Sequence, residues 1–291
     1  MRYRPLGGRG QVISAISLVL EPDPSRQRPS DWVSLIYAAL ECGVSGFEIR
    51  GLDSILGEAI GEALSAIERR MAFVAVRLAT PPGRLASLEV VAAQIRAAVA
   101  ATGLGYLDAA LLDPSALSAP RALKELGALK SAGLVRAIGV SGSTEAVDPL
   151  IDSGQLDLVA TEFSLLSGWT ERRRLRAAMT TDMAVFGYGW HPREQLEVLT
   201  RPAPRDRDNP LAGAGGYGFL NQTKDWTCEE LCLAYALIEP SLATVQVRVR
   251  STEHLEKLAS VADRELPATA AAQIEMARFS SLAAGEARRT A

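Results

Sequence analysis

Histidine, cysteine and aromatic side chains are scarce in this chain: two histidines, three cysteines and 5% aromatics in 291 residues. Cys228 and Cys232 stand at i,i+4 helical spacing and Cys42 is far away, which makes neither an even disulfide framework nor a pair of CxxC metal knuckles. They read as reduced thiols of a cytoplasmic protein, and with two distant histidines no metal site is expected. Charge of one sign is missing too. Lys plus Arg number 31 against 34 Asp plus Glu, with no long basic run, so the phosphate-neutralising surface of a nucleic-acid binder is excluded. No stretch reaches the ~18 uninterrupted apolar residues that a membrane span needs. The polar, Gly-rich residues 1–10 do not resemble a signal peptide. What remains, 48% apolar and 22% charged residues, is the composition of a soluble globular protein. The partner expected for it is a small-molecule substrate, and the oligomeric state is left undetermined.

Apolar, β-rich runs recur eight times, at residues 16–20, 46–49, 73–78, 106–112, 135–140, 156–161, 183–187 and 243–249. Stretches of helical periodicity follow them at 31–41, 56–67, 88–102, 120–131, 144–151, 171–180, 228–238 and 252–261. Ser30, Ser87 and Ser251 stand where N-caps belong, and Gly43, Gly103, Gly133 and Gly154 where helices stop. Such regular alternation predicts parallel strands covered by helices, an α/β fold, and eight units favour a single-domain (β/α)8 TIM barrel spanning 1–291. A doubly wound open sheet is the runner-up. Its phosphate fingerprint is missing, because the first run leads into Glu21-Pro22-Asp23-Pro24 and not into a Gly-rich turn. Residues 201–225, rich in Pro, Asp, Arg and Gly, break the rhythm and read as a mobile loop over the barrel mouth, with a phosphate-binding Gly loop as the alternative.

Several ordered stretches resemble the aldo-keto reductase superfamily: Met1 to Gly7 with Val12 to Ile16, Ala38 to Val44 with Phe47, and Leu56 to Ile60. Tyr106 to Leu112, Leu123 to Gly133, Val135 to Ser141, Leu231 to Leu237 and Val249 to Leu255 continue the order over nearly the whole chain. The resemblance implies a barrel with its site at the C-terminal strand ends. It also implies carbonyl reduction with NADPH by an Asp, a Tyr, a Lys and a His. Here those positions hold Glu48, Asp53, Arg77 and Asp113, a degenerate tetrad without the phenol that would protonate an alkoxide. For the cofactor, the resemblance assigns Ser141 and Tyr188 to the nicotinamide and Arg250 and Ser251 to the 2'-phosphate. Gly142, Ala160, Arg248 and Leu258 replace other cofactor-contacting residues of the family.

Glu48, Arg77 and Asp113 belong on neighbouring strand ends and so at one mouth. Two carboxylates around one fixed cation make either an inherited ion pair or an acid-base site in which Glu48 or Asp113 moves a proton and Arg77 anchors an anion. His191 follows the seventh run and either faces the same mouth or lies on the surface. Trp169, Trp190 and Trp226 are candidates for a pocket wall. His254 and the Glu171 to Arg176 run read as solvated. Three functions follow: redox-neutral isomerisation, dehydration or elimination on a small carbonyl or carboxylate metabolite with no cofactor, in specialised biosynthesis; NADPH-dependent carbonyl reduction with an altered tetrad; or a non-catalytic binding or regulatory barrel. Fold alone chooses none of them.

Overall fold

The computed structural model describes residues 1–78, 88–117, 122–200 and 216–289. An antiparallel hairpin of β1 (Tyr3–Pro5) and β2 (Val12–Ser14) comes first. Then follow β3 (Ile16–Leu20), β4 (Gly46–Arg50), β5 (Phe73–Arg77), β6 (Leu107–Leu112), β7 (Val135–Ser141), β8 (Leu158–Glu162), β9 (Ala184–Tyr188) and β10 (Thr244–Val247). These eight are parallel, each paired with its neighbour in the chain, and β10 closes on β3 to complete a barrel. The helices are α1 (Pro29–Glu41), α2 (Ser54–Ser65), α3 (Leu88–Thr102), α4 (Pro114–Leu117), α5 (Ala122–Ser131) and α6 (Asp148–Asp152). They continue with α7 (Trp169–Thr180), α8 (Arg193–Leu199), α9 (Cys228–Leu237), α10 (Thr252–Val261) and α11 (Ala268–Arg289). No helix among the described residues is long and apolar enough to cross a membrane.

All eight expected strands form, with ends shifted by no more than a few residues, because strands buried on both faces announce themselves as apolar runs. Gly43 at φ +79° and Gly103 at φ +63° end α1 and α3 in the left-handed conformation that glycine tolerates. One expected cap is corrected: Ser30 lies inside α1, whose first residue is Pro29, a fixed φ doing what a side-chain cap would do. Ser87 lies outside the described residues. So does most of the expected mouth loop, residues 201–215. From Gly218 the chain forms a 3-10 turn, Gly218–Asn221.

Alternate strand residues face in and out, which divides the core. Phe47, Ile49, Val74 and Val76 face outward to the helices. Ala75, Ala109, Leu111, Ala137, Leu158 and Phe186 face inward, with Leu6 from the β1–β2 connection and Ile13 from β2 packed on them. Small and apolar side chains therefore fill the lower barrel, and only the upper layer is left to carry charge. At the closed end Asp108 accepts from the Val74 N–H at 2.9 Å and from Arg69 Nη2 at 2.7 Å, tying β6 to β5.

The Glu171 to Arg176 run departs from its expected solvated face at two positions: Arg172, half-buried, donates Nη2 to Tyr235 OH at 2.6 Å, and Arg174 turns fully inward. Arg174 is 2% exposed, donates Nε to Asp148 Oδ1 at 2.7 Å, and gives Nη1 and Nη2 to the carbonyls of Ser143 and Thr144 at 2.9 and 3.1 Å. The helical period places Arg174 beside Leu175 and Ala178 on the inner side, where its fork pins the loop that leaves β7.

Candidate functional site

The site grows from the strand alternation. Glu48 and Arg50 on β4, Arg77 on β5, Ser141 on β7, Tyr188 on β9 and Gln246 on β10 meet at the C-terminal end of the barrel. Glu48, 1% exposed, sits at the centre. Its Oε1 accepts from Arg77 Nε at 2.9 Å and from Arg50 Nε; its Oε2 accepts from Arg77 Nη2 at 3.2 Å and from Gln246 Nε2. Gln246 Oε1 in turn accepts from Arg50 Nη2 and Arg77 Nη2, both at 2.9 Å. Arg77 Nη1 donates to Ser141 Oγ, and the Arg77 guanidinium lies over the Tyr188 ring, 4.8 Å from its centroid. Two guanidiniums thus share one buried carboxylate, leaving the cluster one positive charge in excess.

Above this cluster opens a cavity of about 530 Å³ lined by Arg50, Arg77, Asp113, Ser141, Tyr188 and Arg248. Arg248 pairs with Glu21 at 2.9 Å across the rim. Burial and the nearby Arg50 lower the Arg248 pKa, yet a guanidinium stays charged through such shifts. Burial raises the Tyr188 pKa against the opposing effect of Arg77, so the phenol keeps its proton. Asp113 is exposed, and its Oδ1 accepts the Ser115 N–H at 2.9 Å. A second cavity of about 400 Å³, reached past Gly51, Asp53 and Arg77, lies towards α3.

The structure brings Glu48 and Arg77 into direct contact, with Asp113 on the wall of the same cavity. Asp53 is a helix cap: its side chain accepts the Leu56 N–H at 2.8 Å at the start of α2. Asp53→Ala is expected to lower stability by about 1 kcal/mol, measured by urea unfolding, and to leave mouth chemistry unchanged. Arg250 and Ser251 lie away from the mouth cavity at the start of α10, where Ser251 Oγ accepts the His254 N–H at 3.2 Å. None of Trp169, Trp190 and Trp226 lines the mouth cavity. Trp190 is buried with Nε1 on the Gln246 carbonyl at 2.9 Å, Trp226 lies under Arg264, and Trp169 is exposed. His191 does not face the mouth cavity either; it turns to α9. His254 is not simply solvated, since its Nε2 stands 3.3 Å from Glu229.

Sequence reasoning missed Arg50, Gln246 and Glu21, and read Arg248 only as a replacement of a cofactor-contacting residue. The signal was present: Glu48 with Arg50, and Gln246 with Arg248, are polar residues two apart at the ends of apolar strands, which the strand period puts on the inner face.

The Aldo/keto reductase family matches this chain over residues 51–278, most of its length. The chain belongs to that family. Solved structures of similar fold include an aldo-keto reductase from Bacillus halodurans in its holo form, at 17% identity and TM-score 0.73, over 95% of this chain and 96% of that one. A glycerol dehydrogenase from Gluconobacter oxydans aligns at 15% identity and TM-score 0.68, over 94% of each chain. Comparison with curated proteins returns no match.

Proposed function

We propose that this aldo-keto reductase barrel performs redox-neutral acid-base chemistry, an isomerisation, dehydration or elimination, on a small carbonyl or carboxylate metabolite. One observation carries the reading: Arg50 and Arg77 together hold one more positive charge than Glu48 neutralises, at the floor of a cavity large enough for a metabolite. Two arginines that share one carboxylate beside an open cavity keep donors for a further anion, so an anionic substrate group is the natural partner. Among the described residues Nη1 of Arg50 has no acceptor and is directed by the same side chain that binds Glu48, which makes Arg50 the anchor alongside Arg77.

The two carboxylates divide the work by access. Glu48 accepts four hydrogen bonds and is out of reach of substrate, so it holds the guanidiniums in place. Asp113 stands on the cavity wall with one oxygen engaged, and its Oδ2 is the proton acceptor for a carbon acid beside a carbonyl. The proton leaves carbon for Asp113, the electron pair moves to the carbonyl oxygen, and the protonated Tyr188 and the guanidiniums stabilise that oxygen. Where the substrate carries a hydroxyl on the deprotonated carbon or a conjugated double bond, the enediolate or dienolate takes the proton back at another carbon, which completes an isomerisation.

The residues that the family resemblance assigns to NADPH do not fit a nicotinamide as arranged. Ser141 Oγ is taken by Arg77, and the Arg77 guanidinium lies over the Tyr188 ring on which the nicotinamide would stack. This favours a reaction without that cofactor. The second reading, NADPH-dependent reduction, draws on the family itself and on Arg250 and Ser251 at the first turn of α10, where a helix N-terminus suits a phosphate.

The test is proton exchange. A panel of small 2-oxo and 3-oxo carboxylates incubated with the protein in D₂O is followed by NMR for loss of carbon-bound protons. Asp113→Asn is expected to slow exchange about 100-fold with the fold intact. NADPH titration with tryptophan fluorescence runs beside it. Micromolar NADPH binding with oxidation by an aldehyde would replace the proposal with the reductase reading. No exchange and no NADPH binding would replace both with a non-catalytic barrel.

A further inference from the structure

Away from the mouth, three donor side chains meet. Among the described residues, one donor atom each from His191, Cys228 and Cys232 lies within 4.8 Å of the others. The expectation of no metal site rested on sequence separation, and it missed this set because His191 follows β9 while the thiols begin α9. Cys228 and Cys232, four residues apart on one helix, present their sulfurs on the same face one turn apart. His191 arrives from the opposite side. Its ring stacks on Trp190 with centroids 5.6 Å apart, and Trp190 is itself fixed through Nε1 to the Gln246 carbonyl.

We infer that Cys228, Cys232 and His191 form a binding site for a thiophilic divalent metal, Zn²⁺, with three protein ligands and a fourth position open to solvent or an exogenous ligand. Two thiolates and an imidazole are the donors that select zinc over magnesium or calcium, and three-ligand sites are the kind that keep an open position. Cys232 is buried, whereas His191 and Cys228 are half-buried, so the sulfurs are rooted in the core and an ion still has access.

The surroundings are built to hold these ligands still. Thr227 and Glu230 form a reciprocal capping box that prevents the first turn of α9, and Cys228 with it, from fraying. Glu229 lies behind the histidine, with Oε1 3.6 Å from His191 Nδ1 and Oε2 3.3 Å from His254 Nε2. His254 Nδ1 accepts the Arg250 N–H at 3.4 Å, which leaves Nε2 to carry the proton towards Glu229. With an ion on His191 Nε2, Glu229 would need to close only slightly on Nδ1 to take the outer-shell place that orients an imidazole towards a metal and raises its basicity. None of these residues lines the mouth cavity, so the site is separate from the residues proposed to act there.

Co²⁺ serves as the probe on the reduced, metal-free protein. A single bound ion per chain is expected, with intense thiolate-to-cobalt absorption in the near ultraviolet, tetrahedral bands in the visible, and displacement of both by Zn²⁺. Cys228→Ser and Cys232→Ser, checked for fold by circular dichroism, should abolish the charge-transfer bands. Glu229→Gln should weaken affinity about 10- to 100-fold while keeping them. Alkylation gives a second readout on the unmodified protein: Zn²⁺ should protect Cys228 from iodoacetamide and leave Cys42 labelling unchanged. No charge-transfer band, bands that survive in the double Cys228→Ser, Cys232→Ser variant, or equal labelling of Cys228 with and without Zn²⁺ would each overturn the proposal.

Discussion

Glu48→Gln is expected to lower the stability of the folded barrel by about 3–5 kcal/mol, the usual range when one member of a buried ion pair is removed. The substitution keeps shape and volume but takes away the only carboxylate that Arg50 and Arg77 share at 1% exposure. Two guanidiniums would then face Gln246 and Ser141, neither of which carries charge. Urea unfolding of the two proteins measures the difference. Sulfate or phosphate should restore part of it in the variant, since an anion that binds only the folded state raises its apparent stability. A loss below about 1 kcal/mol would mean that solvent already screens the cluster, and the argument from surplus charge would fall with it.

Arg174→Leu is expected to cost about 3 kcal/mol or more, for a different reason. Leucine suits the burial of the site but makes none of the bonds to Asp148 Oδ1, the Ser143 carbonyl or the Thr144 carbonyl. Asp148 keeps a partner, because Arg173 Nη2 stands 3.0 Å from its other oxygen. The penalty therefore falls mainly on backbone carbonyls, and Asp148→Asn should be the milder change. Arg174→Lys should recover only a minor part of the loss, since an ammonium cannot present a planar fork to three acceptors. The loop held by Arg174 follows Ser141 directly, so anion binding at the mouth should weaken along with stability. A variant with wild-type unfolding would refute the assignment of Arg174 as the anchor of that loop.

Much of the fold was legible residue by residue. Each barrel strand showed itself as an apolar run, and the glycines at 43, 103, 133 and 154 adopt the positive φ that their positions at helix ends demand. Local signals failed where two local devices compete. Ser30 looks like a cap, but Pro29 starts the helix one residue earlier, and the Asp53 and Thr227 caps were passed over. The β1–β2 hairpin and α11 also went unforeseen: three-residue strands are too short to show a period, and the alanine-rich 268–289 segment carries little apolar contrast.

The candidate site was legible only in part. Family resemblance placed Glu48, Arg77, Ser141 and Tyr188 together, and they do converge. Sequence by itself determined the alternation of strand and helix, the number of barrel units and the charged character of the strand ends, because these depend on neighbours within one or two turns of the chain. Tertiary structure decided which charges meet. Arg50 reaches Gln246 across 196 residues of sequence, His191 meets two thiols on a helix it does not adjoin, and Arg174 turns inward while Arg173 and Arg176 of the same helix stay exposed. The Arg50–Gln246 pairing comes into being when the last strand closes on the first, because only closure fixes which inward-facing side chains share a layer. The other two form where the helices dock on the barrel and bring separate connections together.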